Sequence, residues 1–411
     1  MSLFSRCWNM LVTVVGRSWK TLLSPAWKPL AFPSESFALI SANEKIEEET
    51  LPDYVASQFY PVKIFRARYQ IVGKLGYGVT STVWLTRDLS GCRHVALKIH
   101  VTSNEMGEMQ DVELDAYVCI ENSSINHPGR RAIRSLLDSV DIDGPDRRWA
   151  GRGIGALHRN PIRRLPTPVM DFVLLRLFLA LDFLHRECHT AHTDIQERNI
   201  LFGADKSVLE ALEQEELENP CPRKDVDGRT IYLSRKLGIP KKVGDPVLCD
   251  LGSALRLGDG ITRREDIQPD VYRAPEVILG IPCSYSVYIW NVGCMIWNAF
   301  EGEHLFIGRD PEFKTYRGRT HLAEIIALLG PPSPSLLPGA SLRSKFFSDA
   351  GEFCADISIP ESEPLGQSET VLEGEDRDRF LRFMRKMLQW DPEKRSSAEE
   401  LAEDEWVLKR Y

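Results

Sequence analysis

The segment PVMDFVLLRLFLALDFLH, residues 168–185, limits what this chain can become more than any other stretch. It is apolar on almost every side, so a helix built from it has no solvent face and must be wrapped by other elements. Asp171, Arg176 and Asp182 interrupt it, whereas a bilayer-spanning helix needs a longer run free of such charges. It is therefore expected to be a buried core helix. The wrapping is available downstream: YSVYIWNVGCMIWNAF, HLAEIIALLG and DRDRFLRFMRKMLQW all repeat apolar residues at the helical period. The chain from residue 166 onward thus reads as a mostly helical domain.

Upstream the period changes. YQIVGKLGYG, STVWLTRD and HVALKIHV are β-rich runs separated by Gly, Asp and Ser, which predicts three antiparallel strands. MQDVELDAYVCI then carries Val112, Ala116, Tyr117 and Ile120 on one helical stripe, with Glu113 beside it. The fold class is α+β, with a small β-rich lobe over 51–165 and a larger helical lobe over 166–411. Residues 1–50 read as a leader and acidic linker without fold of their own. The acidic stretch EALEQEELENPCPRKDVDG, within an insert at about 203–243, reads as a surface loop with a helical start.

With 43% hydrophobic and 27% charged residues, 411 residues suffice for one or two sizeable cores. The net charge of −8 argues against direct nucleic-acid binding and suits a basic protein partner. Nine single cysteines without a CxxC pair suggest neither a disulfide framework nor structural zinc, and point to the cytoplasm and nucleus. The first 33 residues are basic and acid-free, as in a mitochondrial transit peptide. The alternative compartment is therefore the mitochondrion, and the alternative reading of the segment is a plain leader.

Several short motifs could carry chemistry. LGYGVTSTVWL places Gly76 and Gly78 between two strands, where backbone N–H groups could approach phosphates; a plain hairpin explains them equally well. Lys98 ends VALK on the third strand, where a solvated lysine is the simpler reading, and Glu113 follows fifteen residues later on the helix. HTDIQERNIL brings Asp194, a carboxylate able to accept a hydroxyl proton, and Asn199, an amide oxygen for a divalent metal. VLCDLGSA adds Asp250 between an apolar strand and a turn.

In this order the set resembles the eukaryotic protein kinase pattern, and YRAPEV with Glu276 and WDPEKR with Arg395 extend the resemblance over roughly 69–406. The resemblance implies the bilobal kinase fold. It also implies an ATP site of Leu75, Gly76, Gly78, Val83, Ala96 and Lys98, with Glu113 holding Lys98. Asp194 would then orient the substrate hydroxyl, Asn199 and Asp250 would hold Mg²⁺, and Arg395 would pair with Glu276. Ser81 in the glycine loop, HTD in place of HRD, and HLAEIIALLGPP look like the SR-protein kinases of the CMGC group, in a form common in filamentous fungi. So does the insert, for 51 positions separate Asn199 from Asp250. The implied enzyme is a monomeric serine/threonine kinase that acts on Arg-Ser-rich proteins in mRNA splicing, away from membranes.

Four departures qualify the pattern. Thr193 stands where many kinases have an arginine that grips a phosphorylated activation loop, so constitutive activity is expected. Gln196 replaces a lysine that touches the γ-phosphate, which predicts a lower rate. Tyr288 replaces an aspartate that braces the catalytic loop. GPDRRWAGRGIGALHRNPIRRLP, residues 144–166, is rich in Gly and Arg and is expected to lack the fifth strand and the hinge, while VKIFRARYQI looks a few residues short. The alternative function is accordingly an impaired pseudokinase or truncated splice product that binds partners. A small-molecule phosphotransferase is disfavoured by the APE element. A zinc reading of His185, His189 and His192 is disfavoured because Glu187 sits one place off the HExxH pattern.

Overall fold

The early β-rich runs form β1 (Tyr69–Tyr77), β2 (Ser81–Asp88) and β3 (Arg93–His100), which are buried on both faces over most of their length. Helix α1 (Met106–Asn122) follows, with Ala116, Tyr117 and Ile120 buried as its stripe predicts. The computed structural model describes residues 26–33, 35–62, 68–102, 106–123, 126–143, 148–154, 157–159, 167–238, 240–257, 268–361 and 364–408.

The expected loss of the fifth strand is corrected. β4 (Leu136–Asp143) and β5 (Arg148–Ile154) complete a five-stranded antiparallel sheet of order β1-β2-β3-β5-β4. β5 lies within the Gly- and Arg-rich segment and pairs on both sides, with β3 and β4. Two flanking ladders supply the hydrogen bonds, so weak intrinsic β-propensity does not prevent the strand. Its glycines also serve packing: a Cβ at Gly151 would come within 2.7 Å of Ile142 Cδ1. The expected hinge deletion falls largely on 155–156 and 160–166, outside the described residues, as do 63–67 of VKIFRARYQI. β6 (Leu157–Arg159) already belongs to the second lobe.

The core segment is helix α2 (Thr167–Arg186), where Leu174, Phe178, Ala180, Leu181, Phe183 and Leu184 have no exposed surface. β7 (Thr190–Ala191) leads into the polar loop, and β8 (Ile200–Gly203) leaves it. The insert is more ordered than a surface loop. Helix α3 (Lys206–Glu218) is capped by Asp205, and β9 (Arg223–Val226) with β10 (Arg229–Tyr232) forms a hairpin. Leu209 and Leu212 of α3 pack on Val72 and Leu85 of the sheet. Its acids are consumed internally: Glu213 pairs with Arg87 and His94, and Glu215 and Glu216 pair with Arg235.

The acidic linker is likewise pinned rather than loose. Glu48 and Glu47 pair with buried Lys74, and Glu49 pairs with buried Lys224 at 2.8 Å. Buried ammonium groups require such counter-charges. Residues 1–25 of the leader lie outside the described residues.

β11 (Pro246–Leu248) pairs with β8, which also pairs with β6, and β12 (Leu255–Arg256) pairs with β7. Helices α4 (Pro275–Leu279), α5 (Ser286–Glu301), α6 (Gly318–Leu329) and α7 (Gly374–Met387) surround α2 and share its core, with Trp290, Phe380 and Phe383 fully buried. Among the described residues no helix is long and apolar enough to cross a membrane.

Candidate active site

β3 presents Ala96, Lys98 and His100 on one face, because side chains alternate along a strand. Val83 of β2 lies opposite Lys98, and Ile154 of β5 lies opposite Ala96. Ala96 and Ile154 are buried and Val83 is half-buried, so they make an apolar roof beside the lysine. Ile154 was not foreseen, since a single apolar residue among glycines and arginines carries no sequence signal.

Lys98 Nζ stands 3.1 and 3.2 Å from the two carboxylate oxygens of Glu113 and 3.1 Å from Asp250 Oδ1. The three expected partners, drawn from a strand, a helix and a strand end, thus meet across the two lobes. Burial opposes the charge on Lys98, but the carboxylates of Glu113 and Asp250 more than offset it and raise its pKa. His100 Nε2 lies 3.2 Å from the same Glu113 carboxylate, and burial keeps its pKa below the usual histidine value.

Burial would raise the Glu113 pKa, yet the His100 ring and the Lys98 charge overcome it and hold the carboxyl down to about 2. A folded pKa below the unfolded value of 4.5 means that this carboxylate stabilises the fold above pH 4.5. The contribution, on the order of 3 kcal/mol, is lost as pH falls from about 4.5 to about 2. Glu113→Gln should therefore be less stable than the wild type at pH 7, with the gap narrowing through that window in urea melts. A gap that stays constant from pH 7 to pH 2 would refute the linkage.

The polar loop after β7 is held by contacts on both sides. His192, fully buried, bonds through Nε2 to the carbonyl of Cys249 at 2.9 Å, and Thr193 Oγ1 donates to the carbonyl of Ser253 at 2.6 Å. The Cys249 N–H in turn donates to the Asn199 carbonyl at 2.8 Å. These bonds lock the loop to the segment that carries Asp250. Thr193 and Asp250 both adopt positive φ, 64° and 69°. For a β-branched threonine that conformation is costly, and it persists because the surrounding hydrogen bonds impose it.

Asp194 is well ordered by its neighbours. Asn199 Nδ2 donates 2.8 Å bonds to its main-chain oxygen and to Oδ2, and Gln196 Nε2 donates to Oδ1. With its amide nitrogen so engaged, Asn199 has its side-chain oxygen as the group suited to a cation. Asp250 keeps about half of its side-chain surface exposed, 47%. Burial would raise the Asp250 pKa, but Lys98 keeps it below its usual value. Oxygen ligands from an amide and a carboxylate form a hard donor set that fits Mg²⁺.

Tyr288 is buried in the core with its ring 6.1 Å from that of His185. Asn298 of α5 also reaches the loop, its Nδ2 donating to Glu197 at 2.9 Å. Nothing local in the sequence pairs these two residues. His185 stacks on Tyr285 at 4.5 Å, so two of the three histidines considered for zinc, His185 and His192, have structural partners.

Gly76 lies within β1, opposite Val83 and beside a register shift, while Gly78 falls in the turn, its N–H donating to the Ser81 carbonyl at 2.8 Å. Neither Gly76 nor Gly78 has positive φ, and a Cβ at either would meet nothing within 4 Å. Neither side-chain packing nor a positive φ therefore requires these two glycines. Beside half-buried Leu75, they leave open room at the mouth of the Lys98 site, where main-chain N–H groups can approach an anion.

A second concavity of about 570 Å³ lies elsewhere in the helical lobe, lined by none of the residues above. Trp297, Glu301, Glu303, His304, Glu324 and Glu361 give it an aromatic and acidic wall. Glu301 is bonded to Thr370, and Glu324 to the N–H groups of Ile307 and Gly308, while Glu303 and Glu361 are exposed.

Residues 155–407 match the protein kinase domain family. A serine/threonine protein kinase of Aspergillus fumigatus is 38% identical over 408 residues, covering 96% of this chain and 98% of that protein. The serine/threonine-protein kinase SRPK of Physarum polycephalum is 28% identical, over 88% of this chain and 91% of its own length. SRSF protein kinase 3 of the mouse is 23% identical, over 88% and 90%.

Proposed function

The chain belongs to the protein kinase family, as a serine/threonine kinase with SR-protein kinase relatives, and from that premise we propose that it transfers the γ-phosphate of ATP to serines of basic, Arg-Ser-rich proteins. The observation that carries the ATP assignment is the convergence of Lys98, Glu113 and Asp250 in the sheet where Val83, opposite Lys98, also faces Gly76, with open space at Gly76 and Gly78. Lys98 would pair with nucleotide phosphate oxygens, and Glu113 keeps its ammonium aimed. Asn199 and Asp250 would hold Mg²⁺, which when bound neutralises phosphate charge.

Phosphoryl transfer asks the protein chiefly for positioning and electrostatics. Asp194 receives the serine hydroxyl, orients its oxygen toward the phosphorus and accepts its proton. Gln196 offers a neutral amide to Asp194 where a lysine would bring a positive charge, which supports a lower rate. Thr193 joins the loop to Ser253 without any arginine, which supports an enzyme that needs no activation-loop phosphate. Residues 258–267, part of that activation segment, lie outside the described residues.

The acidic cleft supports the basic substrate class, since Glu303 and Glu361 stand exposed beside Trp297. Radiolabel from ATP should enter an Arg-Ser repeat peptide and not a Glu-Ser repeat. Glu303→Lys combined with Glu361→Lys should raise the peptide KM about 3- to 10-fold with kcat little changed, because exposed charges contribute modestly each. Equal use of both peptides would exclude the Arg-Ser reading, and label-free peptides with intact ATP binding would favour a partner-binding pseudokinase. Regulation of mRNA splicing, in the cytoplasm and nucleus, is the cellular role that fits this substrate class.

A further inference from the structure

Cys119 on α1 and Cys188, just past the end of α2, come from opposite lobes and meet. The Cys119 thiol donates to the Cys188 carbonyl with Sγ···O 3.2 Å, which sets the two cysteines side by side. Ser123 Oγ lies 3.4 Å from Cys188 Sγ, on the same short stretch of α1. Cys119 is partly exposed, whereas Cys188 is buried, and both are reduced. Such an arrangement has an accessible attacking sulfur beside a residue whose own sulfur is shielded.

From this geometry we infer that Cys119 and Cys188 form a peroxide-sensitive thiol pair, whose disulfide pins α1 to the helical lobe. The environment favours the reactive form of the first cysteine. Cys188 lowers the Cys119 thiol below the ordinary cysteine range, burial opposes this, and the charges of Arg256 and His189 add to the lowering. A lowered thiol pKa enlarges the thiolate fraction, the nucleophile that peroxide chemistry requires.

The steps balance with hydrogen peroxide as the two-electron oxidant. The Cys119 sulfur attacks one peroxide oxygen; an S–O bond forms, the O–O bond breaks, and hydroxide leaves to become water. The Cys188 sulfur then attacks the sulfenic sulfur; the S–S bond forms, the S–O bond breaks, and a second water leaves. A thiol reductant reverses the result, as expected of a redox-sensing disulfide in a reducing compartment.

The consequence falls on α1, the helix that carries Glu113. Cys119 is six residues further along, about 9 Å at helical rise. Cys119 already bonds to Cys188 while the Lys98–Glu113 ion pair is formed, so a crosslink between them would hold α1 close to the arrangement that keeps Glu113 on Lys98. Oxidation therefore stabilises this arrangement, not a displaced one.

The test treats the reduced full-length chain with equimolar hydrogen peroxide, alkylates the remaining thiols and maps peptides by mass spectrometry. A Cys119–Cys188 peptide pair lighter by two hydrogens is expected. It should be absent in Cys119→Ser, Cys119→Ala and Cys188→Ala, kept in Cys354→Ser, and removed by dithiothreitol. The melting temperature of the crosslinked chain should rise by about 5 °C, since closing a long loop restrains the unfolded state. Sulfinic acid on Cys119 without a crosslink, crosslinks spread over other cysteines, or an equal yield in guanidinium would each overturn the inference.

Discussion

Asp194→Asn should lower kcat for serine phosphorylation by about 10²- to 10⁴-fold, the range spanned by a positioned proton acceptor. Both carboxylate oxygens of Asp194 accept bonds, one from Gln196 and one from Asn199. An asparagine offers one acceptor and one donor to these two donors, so one contact turns repulsive and the amide cannot take the serine proton. Lys98 is held by Glu113 and Asp250, so the nucleotide-induced rise in melting temperature with Mg·ATP should persist. Retained transfer in the variant would remove Asp194 from the mechanism. Loss of the nucleotide shift together with activity would point to collapse of the loop.

Arg395→Ala should be the most destabilising of the substitutions considered, by about 3–5 kcal/mol. Its guanidinium, 0% exposed, bonds both oxygens of Glu276 at 2.5 and 2.8 Å, and Glu276 itself is 1% exposed. It also donates to the carbonyls of Ser286 and Gln389 and lies over the Trp290 ring. One side chain thus ties α4, the start of α5 and the end of the helical lobe together. Removing it strands a carboxylate where no water reaches, and the melting temperature should fall by about 6 °C or more. Arg395→Met combined with Glu276→Met should be less harmful than either change alone, because no unpaired charge then remains. A double variant as unstable as the sum of the singles would show that the pair acts through its packing.

The two variants sit at opposite ends of legibility. Glu276 and Arg395 could be paired from their motifs alone, 119 residues apart, and the structure joins them with a bidentate bond. The set of Lys98, Glu113, Asp194, Asn199 and Asp250 was also readable, since each residue stands in a short local pattern, and the structure brings them to one place. The strand over 148–154 was not readable, because its glycines and arginines say little about strand formation while the ladders on either side say everything. The insert was misread for a related reason: its glutamates look solvent-bound until Arg87, His94 and Arg235 appear opposite them.

Residue type and hydrophobic period are local quantities, so the helices of the larger lobe, the first three strands and the order of reactive groups could be derived from the chain of letters. Quantities that depend on what lies across space could not. The positive φ of Thr193 is imposed by a bond to distant backbone, and the low pKa of Glu113 arises because His100 and Lys98 outweigh its burial. The bracing of Glu197 by Asn298 and the meeting of Cys119 with Cys188 join segments that no periodicity relates. Dielectric environment and long-range hydrogen bonding are properties of the packed molecule, and only packing decided them.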